Sequence, residues 1–291
     1  MDMIEQFSSG LADRVAAAGA FVVGIRGGSG ILWRPDVVVA SEQMLPADAA
    51  ALKVVHGGRT IGATMAGRDP GTNVAVLKLE TATDAVLPPA AGAVRPGELT
   101  LLVGSDAAGA PTARLALVHA VGDAWHSMAG GRIDALIRLQ TGLGRDEGGP
   151  VLSMAGGLIG MSTSGPRGRT IVIPTATLAR VIEPLLTLGH IARAWLGIGL
   201  QPVSIPDGFH QSTGRESGLM VVGIASGGPA EKACILPGDI VLDIDGAAVG
   251  RPRALSAVLG PERIGQTAVL RVLRAGAVQT IGVTIAARPR P

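Results

Sequence analysis

Gly144-Arg145-Asp146-Glu147-Gly148-Gly149-Pro150-Val151-Leu152, with Gly157-Leu158-Ile159-Gly160-Met161 just behind it, is the stretch that decides the fold. A glycine pair and a proline interrupt the chain. A short apolar run follows, then a Gly-rich turn, then a second apolar run. Runs this short, punctuated this way, read as two strands of a β sandwich or barrel joined by a tight turn. The charged pair Asp146-Glu147 sits immediately ahead of the first strand.

Working outward, the same grammar repeats. Strand-like runs are predicted at 21–25, 31–33, 37–40, 52–56, 74–79, 99–103, 115–120, 133–139, 151–152, 158–161 and 170–173, with Gly, Pro, Asp or Asn between most of them. Residues 4–19 carry Ile4, Phe7, Leu11 and Val15 at helical spacing. A second helical pattern runs through Leu178, Val181, Ile182, Leu185 and Leu186 and stops at Gly189, with Thr175 as its expected cap and Pro184 as an expected kink. A helix closing a β-rich unit makes a boundary. The expected organisation is therefore a first domain over 1–189, a linker over 190–194 and a second domain over 195–291. The second domain shows strands near 197–200, 219–224, 240–244, 268–273 and 280–285, and helices near 230–234 and 252–259.

Composition agrees and excludes several classes. The 291 residues exceed what one core usually organises. Forty-three glycines and 19 prolines suit many tight turns. A net charge of +2 with scattered cations, and 2% aromatics, leaves neither a basic run nor a stacking platform for nucleic acid. A single cysteine, Cys234, forbids an intrachain disulfide and reads as a buried, inert thiol. No apolar run is long enough to span a bilayer. No HExxH, P-loop, CxxC or EF-hand pattern occurs, so no metal site and no cofactor is expected.

Four segments, in order, resemble the HtrA/DegP family of trypsin-like serine proteases with a C-terminal PDZ domain. They are Gly28-Ser29-Gly30-Ile31, Asp69-Pro70-Gly71-Thr72-Asn73-Val74-Ala75-Val76-Leu77-Lys78, the Gly148-Gly149-Pro150 stretch quoted above, and Gly228-Pro229-Ala230-Glu231-Lys232-Ala233 with Pro237-Gly238-Asp239-Ile240. The resemblance implies a mainly β fold: a trypsin-like double six-stranded β-barrel followed by a small α+β PDZ domain. It also implies a cleft between the barrels holding His, Asp and Ser.

Those three residues are replaced here. The histidine position falls on Gln43, or on Met44 if the alignment is anchored at Gly28. The aspartate position is Asn73 and the serine position is Glu147. Without an imidazole there is no base for a hydroxyl nucleophile. The segment from Gln140-Thr141 to Gly148 is also a few residues shorter than the family pattern. Two placements of Glu147 stay open: its carboxylate fills the oxyanion hole, or it is an exposed loop charge. Ser41, Ser153, Ser162 and Ser164 lie near the same segments, with Ser153 and Ser162 expected to pack on or cap strands.

In the second domain, Trp195-Leu196-Gly197-Ile198-Gly199-Leu200 matches the family's carboxylate-binding loop and strand. Leu255 and Val258 would face it from a helix. A PDZ domain binds an extended C-terminus by adding it as a strand to the sheet edge.

The expected function is that of an HtrA-like pseudoprotease, binding peptides or protein C-termini as scaffold, chaperone or regulator in protein quality control. Partners would be those termini and other subunits, either its own copies as a trimer through Phe7 and Phe21 or active homologues. Two alternatives stand beside it. One is an altered hydrolase or cation site at Asp146 and Glu147, with His126. The other is a structural oligomer subunit. The acidic start of the chain predicts a cytoplasmic protein, or a periplasmic one if a leader precedes it.

Overall fold

A computed structural model describes residues 2–250 and 258–289. The chain divides into two compact units, Met1–Ile191 and Ala192–Pro291.

The first unit opens with α1 (Met3–Ala18), whose Glu5 carboxylate accepts the Asp2 backbone N–H at 3.0 Å. Leu11 and Val15 pack on the core, while Met3, Ile4 and Phe7 are exposed. Six strands follow: β1 (Val22–Ile25), β2 (Gly28–Arg34), β3 (Val37–Ser41), β4 (Ala51–His56), β5 (Arg59–Asp69) and β6 (Val74–Leu79). They close into a barrel in the order β1-β2-β3-β6-β5-β4. Then come β7 (Leu99–Ser105), β8 (Pro111–Gly122), the small hairpin β9 (Trp125–His126) and β10 (Arg132–Ile133), β11 (Leu136–Gln140), β12 (Pro150–Ser153), β13 (Leu158–Ser164) and β14 (Thr170–Pro174). The second barrel closes in the order β11-β14-β13-β12-β7-β8. Inward alternation fills each barrel with branched side chains, Ile31, Val38 and Val76 in one and Leu102, Val118 and Val172 in the other.

The unit ends with α2 (Thr175–Leu188), whose chain leaves through Gly189 in the left-handed region. Pro184 sits inside the helix without ending it. Thr175 does not cap: its hydroxyl donates to the Leu158 carbonyl at 2.9 Å, and Pro174 holds the cap position. The apolar stripe of α2 buries Leu178, Val181, Ile182 and Leu185.

Sequence patterning missed β5, the longest strand of the first barrel. Gly62 and Gly67 dilute its alternation. The reason is packing: a Cβ on Gly67 would lie 2.3 Å from the Leu185 carbonyl oxygen of α2. Phe21, expected at an oligomer surface, is 5% exposed and belongs to the core.

The second unit contains β15 (Ala194–Trp195), β16 (Ile198–Ser204), α3 (His210–Thr213), β17 (Ser217–Ile224), α4 (Pro229–Lys232), β18 (Ile240–Ile244), β19 (Ala247–Ala248), β20 (Thr267–Arg274), β21 (Ala277–Thr284) and β22 (Ala286–Ala287). Its main sheet runs β16-β17-β18-β20-β21, with β19 on β18, so β16 is an edge strand. The core gathers Leu196, Leu219, Val241, Leu270 and Val283. Asp239, buried in this unit, receives a two-pronged contact from Arg274, with both N···O distances 2.7 Å. Cys234 is exposed rather than buried, and it holds φ of 57°, a left-handed conformation that glycine adopts more cheaply.

Candidate functional site

Two glycines set the geometry of the 144–150 loop. A Cβ on Gly148 (φ 84°) would stand 2.3 Å from the Ser29 carbonyl oxygen, and one on Gly149 would stand 2.1 Å from that of Val103. Only glycine permits this approach. Ser29, fully buried on β2, fastens the loop from the other barrel. Its N–H donates to Glu147 O at 2.8 Å, its hydroxyl donates to Arg145 O at 2.6 Å, and the hydroxyl accepts the Ser105 N–H. Ser162 fastens the loop from β13, donating its hydroxyl to Asp146 O at 2.7 Å. Ser153 accepts the Gly157 N–H in the turn that follows β12. Both serines therefore hold strands and turns, as their positions suggested.

The loop delivers Glu147 into a polar cluster drawn from both barrels. Glu147 Oε1 accepts the Gln43 amide at 2.6 Å, the Ser41 hydroxyl at 3.1 Å, the Thr163 hydroxyl at 3.4 Å and the Ser164 N–H at 3.3 Å. Its Oε2 accepts the Ser164 hydroxyl at 2.8 Å. Asn73, with φ of 56°, donates its amide to Ser41 and Thr163 and accepts the Gln43 N–H at 2.8 Å. Asparagine tolerates that left-handed backbone better than most residues. Burial acts to raise the Glu147 pKa, but hydrogen bonds from Gln43, Ser164 and Ser41 outweigh it and hold the carboxyl below its ordinary value.

Gln43 and Met44 are resolved by where they point. Gln43 enters the cluster, held by the 3-10 turn Glu42–Met44. Met44 packs instead over Gly28, where its sulfur fills the space a Cβ would need. Arg68 anchors this turn, donating to the Glu42 carboxylate at 2.7 Å and to the Pro46 and Ala47 carbonyls. Asp69 shapes the turn before Asn73 by accepting the Gly71 and Thr72 N–H groups.

Both sequence placements of Glu147 need correction. It is neither an exposed loop charge nor bonded to its own loop's N–H groups. The Glu147 N–H is taken by the Gly144 carbonyl at 3.2 Å, and the carboxylate turns away toward β3 and β13. The alternative of an Asp146–Glu147 acid–base pair is not met either. Asp146 is 5% exposed and turns toward β8, where Arg114 Nε donates to its Oδ1 at 2.9 Å. Its Oδ2 is buried without a partner among the described residues. His126 belongs to the β9–β10 hairpin, opposite Arg132. Among the described residues no three His, Cys, Asp or Glu side chains gather as a metal site would require.

Thr163 was missed by sequence reasoning. Its only signal was its place beside Ser164 on β13, where alternation turns one of the pair inward.

In the second unit, Gly197 (φ 77°) turns the chain between β15 and β16. Leu196 O accepts the Ala230 N–H and Gly197 O accepts the Ala225 N–H, tying this turn to the segment around α4. Leu196 is 2% exposed and packs into the core, so of this residue only the backbone faces the turn. The Trp195 ring packs beneath Gly197 and Gly228. Ile198 and Leu200 are partly buried on the edge strand, and Gly199 is exposed. Val258 packs against the same core. Leu255 lies outside the described residues.

Each of the two units matches a known domain. Residues 28–161 match the trypsin-like peptidase domain model, and residues 195–285 match the PDZ domain model. The two matches, in this order, support the HtrA-type family for this chain. It is 30% identical over 273 residues to a protein of Brucella suis biovar 1 (strain 1330) named probable periplasmic serine endoprotease DegP-like. That alignment takes in 90% of this chain and 53% of the relative. A Rhizobium meliloti (strain 1021) protein of the same name is 27% identical over 272 residues, again 90% of this chain and 53% of the relative. The chain thus spans about half the length of the curated relatives it matches. Among solved structures, the HtrA-type protease AlgW with tripeptide is 25% identical, with a TM-score of 0.72 over 96% of this chain and 98% of that one. The serine endoprotease from Yersinia pestis is 23% identical, with a TM-score of 0.74 over 95% and 98%. The Glu147 cluster therefore sits in the trypsin-like double barrel.

Proposed function

We propose that this HtrA-type chain is a pseudoprotease that acts by binding peptides or protein C-termini. In this reading Gln43, Asn73 and Glu147 stand where relatives carry His, Asp and Ser. The observation that carries it is the Gln43–Glu147 contact at 2.6 Å, an amide on a carboxylate where a hydrolase needs a base on a hydroxyl. Ser41 and Ser164 do reach the Glu147 carboxylate. A carboxylate whose proton affinity is lowered is a poor base for either hydroxyl. The Glu147 N–H, spent on Gly144 O, does not offer itself to an oxyanion.

Binding is assigned to the second unit, with residues 190–194 as the linker before it. A ligand terminus would pair with the open edge of β16, its end held at the Trp195–Ile198 turn and its side chains against Ile198, Leu200 and Val258. One solved relative, the HtrA-type protease AlgW, was determined with a tripeptide, which agrees with this mode. The relatives' names place them in the periplasm, and we assign this chain there rather than to the cytoplasm. Among the described residues no helix is long and apolar enough to cross a membrane.

The test has two arms. The chain should neither cleave casein nor be labelled by a fluorophosphonate, and a C-terminal peptide array should yield ligands whose binding needs a free carboxylate. Labelling that survives Glu147→Ala but disappears with Ser41→Ala or Ser164→Ala would overturn the reading. A second reading, a subunit of a homo-oligomer, is favoured by Met3, Ile4 and Phe7 on the exposed side of α1. Light scattering that returns a monomer would remove it.

A further inference from the structure

A second concave site lies on the second barrel, sharing no residue with the Glu147 cluster. It is a cavity of about 360 Å³ walled by β8, β11 and the start of β14, within the range of small-molecule sites. A β-bulge makes it. Arg138 pairs with Ala120 and the next residue, Leu139, pairs with Val118, so His119 is left over between them. Bulges of this kind re-aim a side chain and locally open a barrel wall. The wall presents His119, Arg138, Gln140, Thr141, Arg169 and Thr170.

The charge balance of this wall is one-sided. No acidic side chain lines it. Neither Arg138 nor Arg169 makes an ion pair or side-chain hydrogen bond with a described residue. The Arg138 Nε–H is buried and lacks an acceptor among the described residues. Guanidinium stays charged at any physiological pH, and a buried donor without an acceptor is costly. Thr170 is already satisfied, donating its hydroxyl to Thr141 O at 2.6 Å. That leaves two guanidinium forks, the Gln140 amide and the His119 ring N–H as donors on one wall.

We propose that this cavity binds an oxyanion group, the phosphate or carboxylate of a small molecule, held between Arg138 and Arg169. Arginine forks match such groups with paired hydrogen bonds, and an acceptor there would satisfy the buried Nε–H. The site is independent of proteolysis, so its ligand is read by binding alone.

Calorimetric titration of the full chain with pyrophosphate and, separately, with citrate at constant ionic strength tests this. One-site, saturable binding of at least one anion is expected, weakened about tenfold in the Arg138→Gln/Arg169→Gln double variant. Arg169→Gln alone sits on an exposed turn and should weaken binding with unchanged thermal unfolding, which keeps the test valid if the double variant does not fold. Preference for pyrophosphate assigns a phosphate ligand, and preference for citrate assigns a carboxylate. No saturable binding of either anion up to about 10 mM, or binding unchanged in the variants, overturns the proposal.

Discussion

The side-chain amide of Gln43 and the carboxylate of Glu147 meet at 2.6 Å across the two barrels. Ser41 joins from the first barrel and Thr163 and Ser164 from the second, so one carboxylate holds four side chains, and Asn73 braces two of them. That arrangement is a structural clasp, and its removal should be measurable as stability.

Glu147→Ala leaves the Gln43, Ser41 and Ser164 donors without their shared acceptor. An expected loss of about 1–3 kcal/mol follows, seen as a lower midpoint in denaturant with an unchanged m-value. An unchanged midpoint would mean water replaces the carboxylate at no cost.

The clasp should weaken in acid. The folded-state pKa of Glu147 is lowered, so its contribution is present above the unfolded value, near 4.5, and is lost as pH falls through the lower folded value. The stability gap between the wild type and Glu147→Gln should therefore narrow steadily below about pH 4.5. A gap constant from pH 7 to about pH 3 would contradict the assignment.

Gly148→Ala should cost about 3 kcal/mol or more, because φ of 84° and a Cβ 2.3 Å from Ser29 O act together. Thermal unfolding reads this directly. Gly142→Ala, with open space around its Cβ, serves as the tolerant control.

Cys234→Gly should stabilise the second unit by about 1 kcal/mol, since φ of 57° suits glycine. The exposed thiol should also react fully with a disulfide reagent in the native state. A protected thiol or a destabilised variant would count against the described turn.

Arg274→Lys should cost the second unit roughly 3 kcal/mol, because Asp239 is buried and loses a two-pronged partner. Hydrogen exchange of amides in β18 and β20 would show whether the loss is confined to that unit.

Most strands were legible because a half-buried strand must alternate or run apolar, and 74–79 and 240–244 do so plainly. β5 was not, because Gly62 and Gly67 answer to α2 and to a neighbouring side chain rather than to the strand's own pattern. Cys234 followed the statistics of its residue type and was wrong, because the turn that holds it is at the surface.

Residue identity alone established that no imidazole or thiol stands beside Glu147 in the chain, and that two differently patterned halves follow one another. Chemistry absent from the side chains cannot be supplied by folding. Which oxygen, amide and hydroxyl would meet was settled only in three dimensions. Gln43 rather than Met44 reaches Glu147, Thr163 completes the cluster, and the Glu147 N–H turns to Gly144. Those outcomes depend on how two barrels close against each other at Ser29 and Gly148, contacts between segments more than a hundred residues apart. Local pattern carries no record of such long-range registration, because each segment's alternation is satisfied by its own barrel.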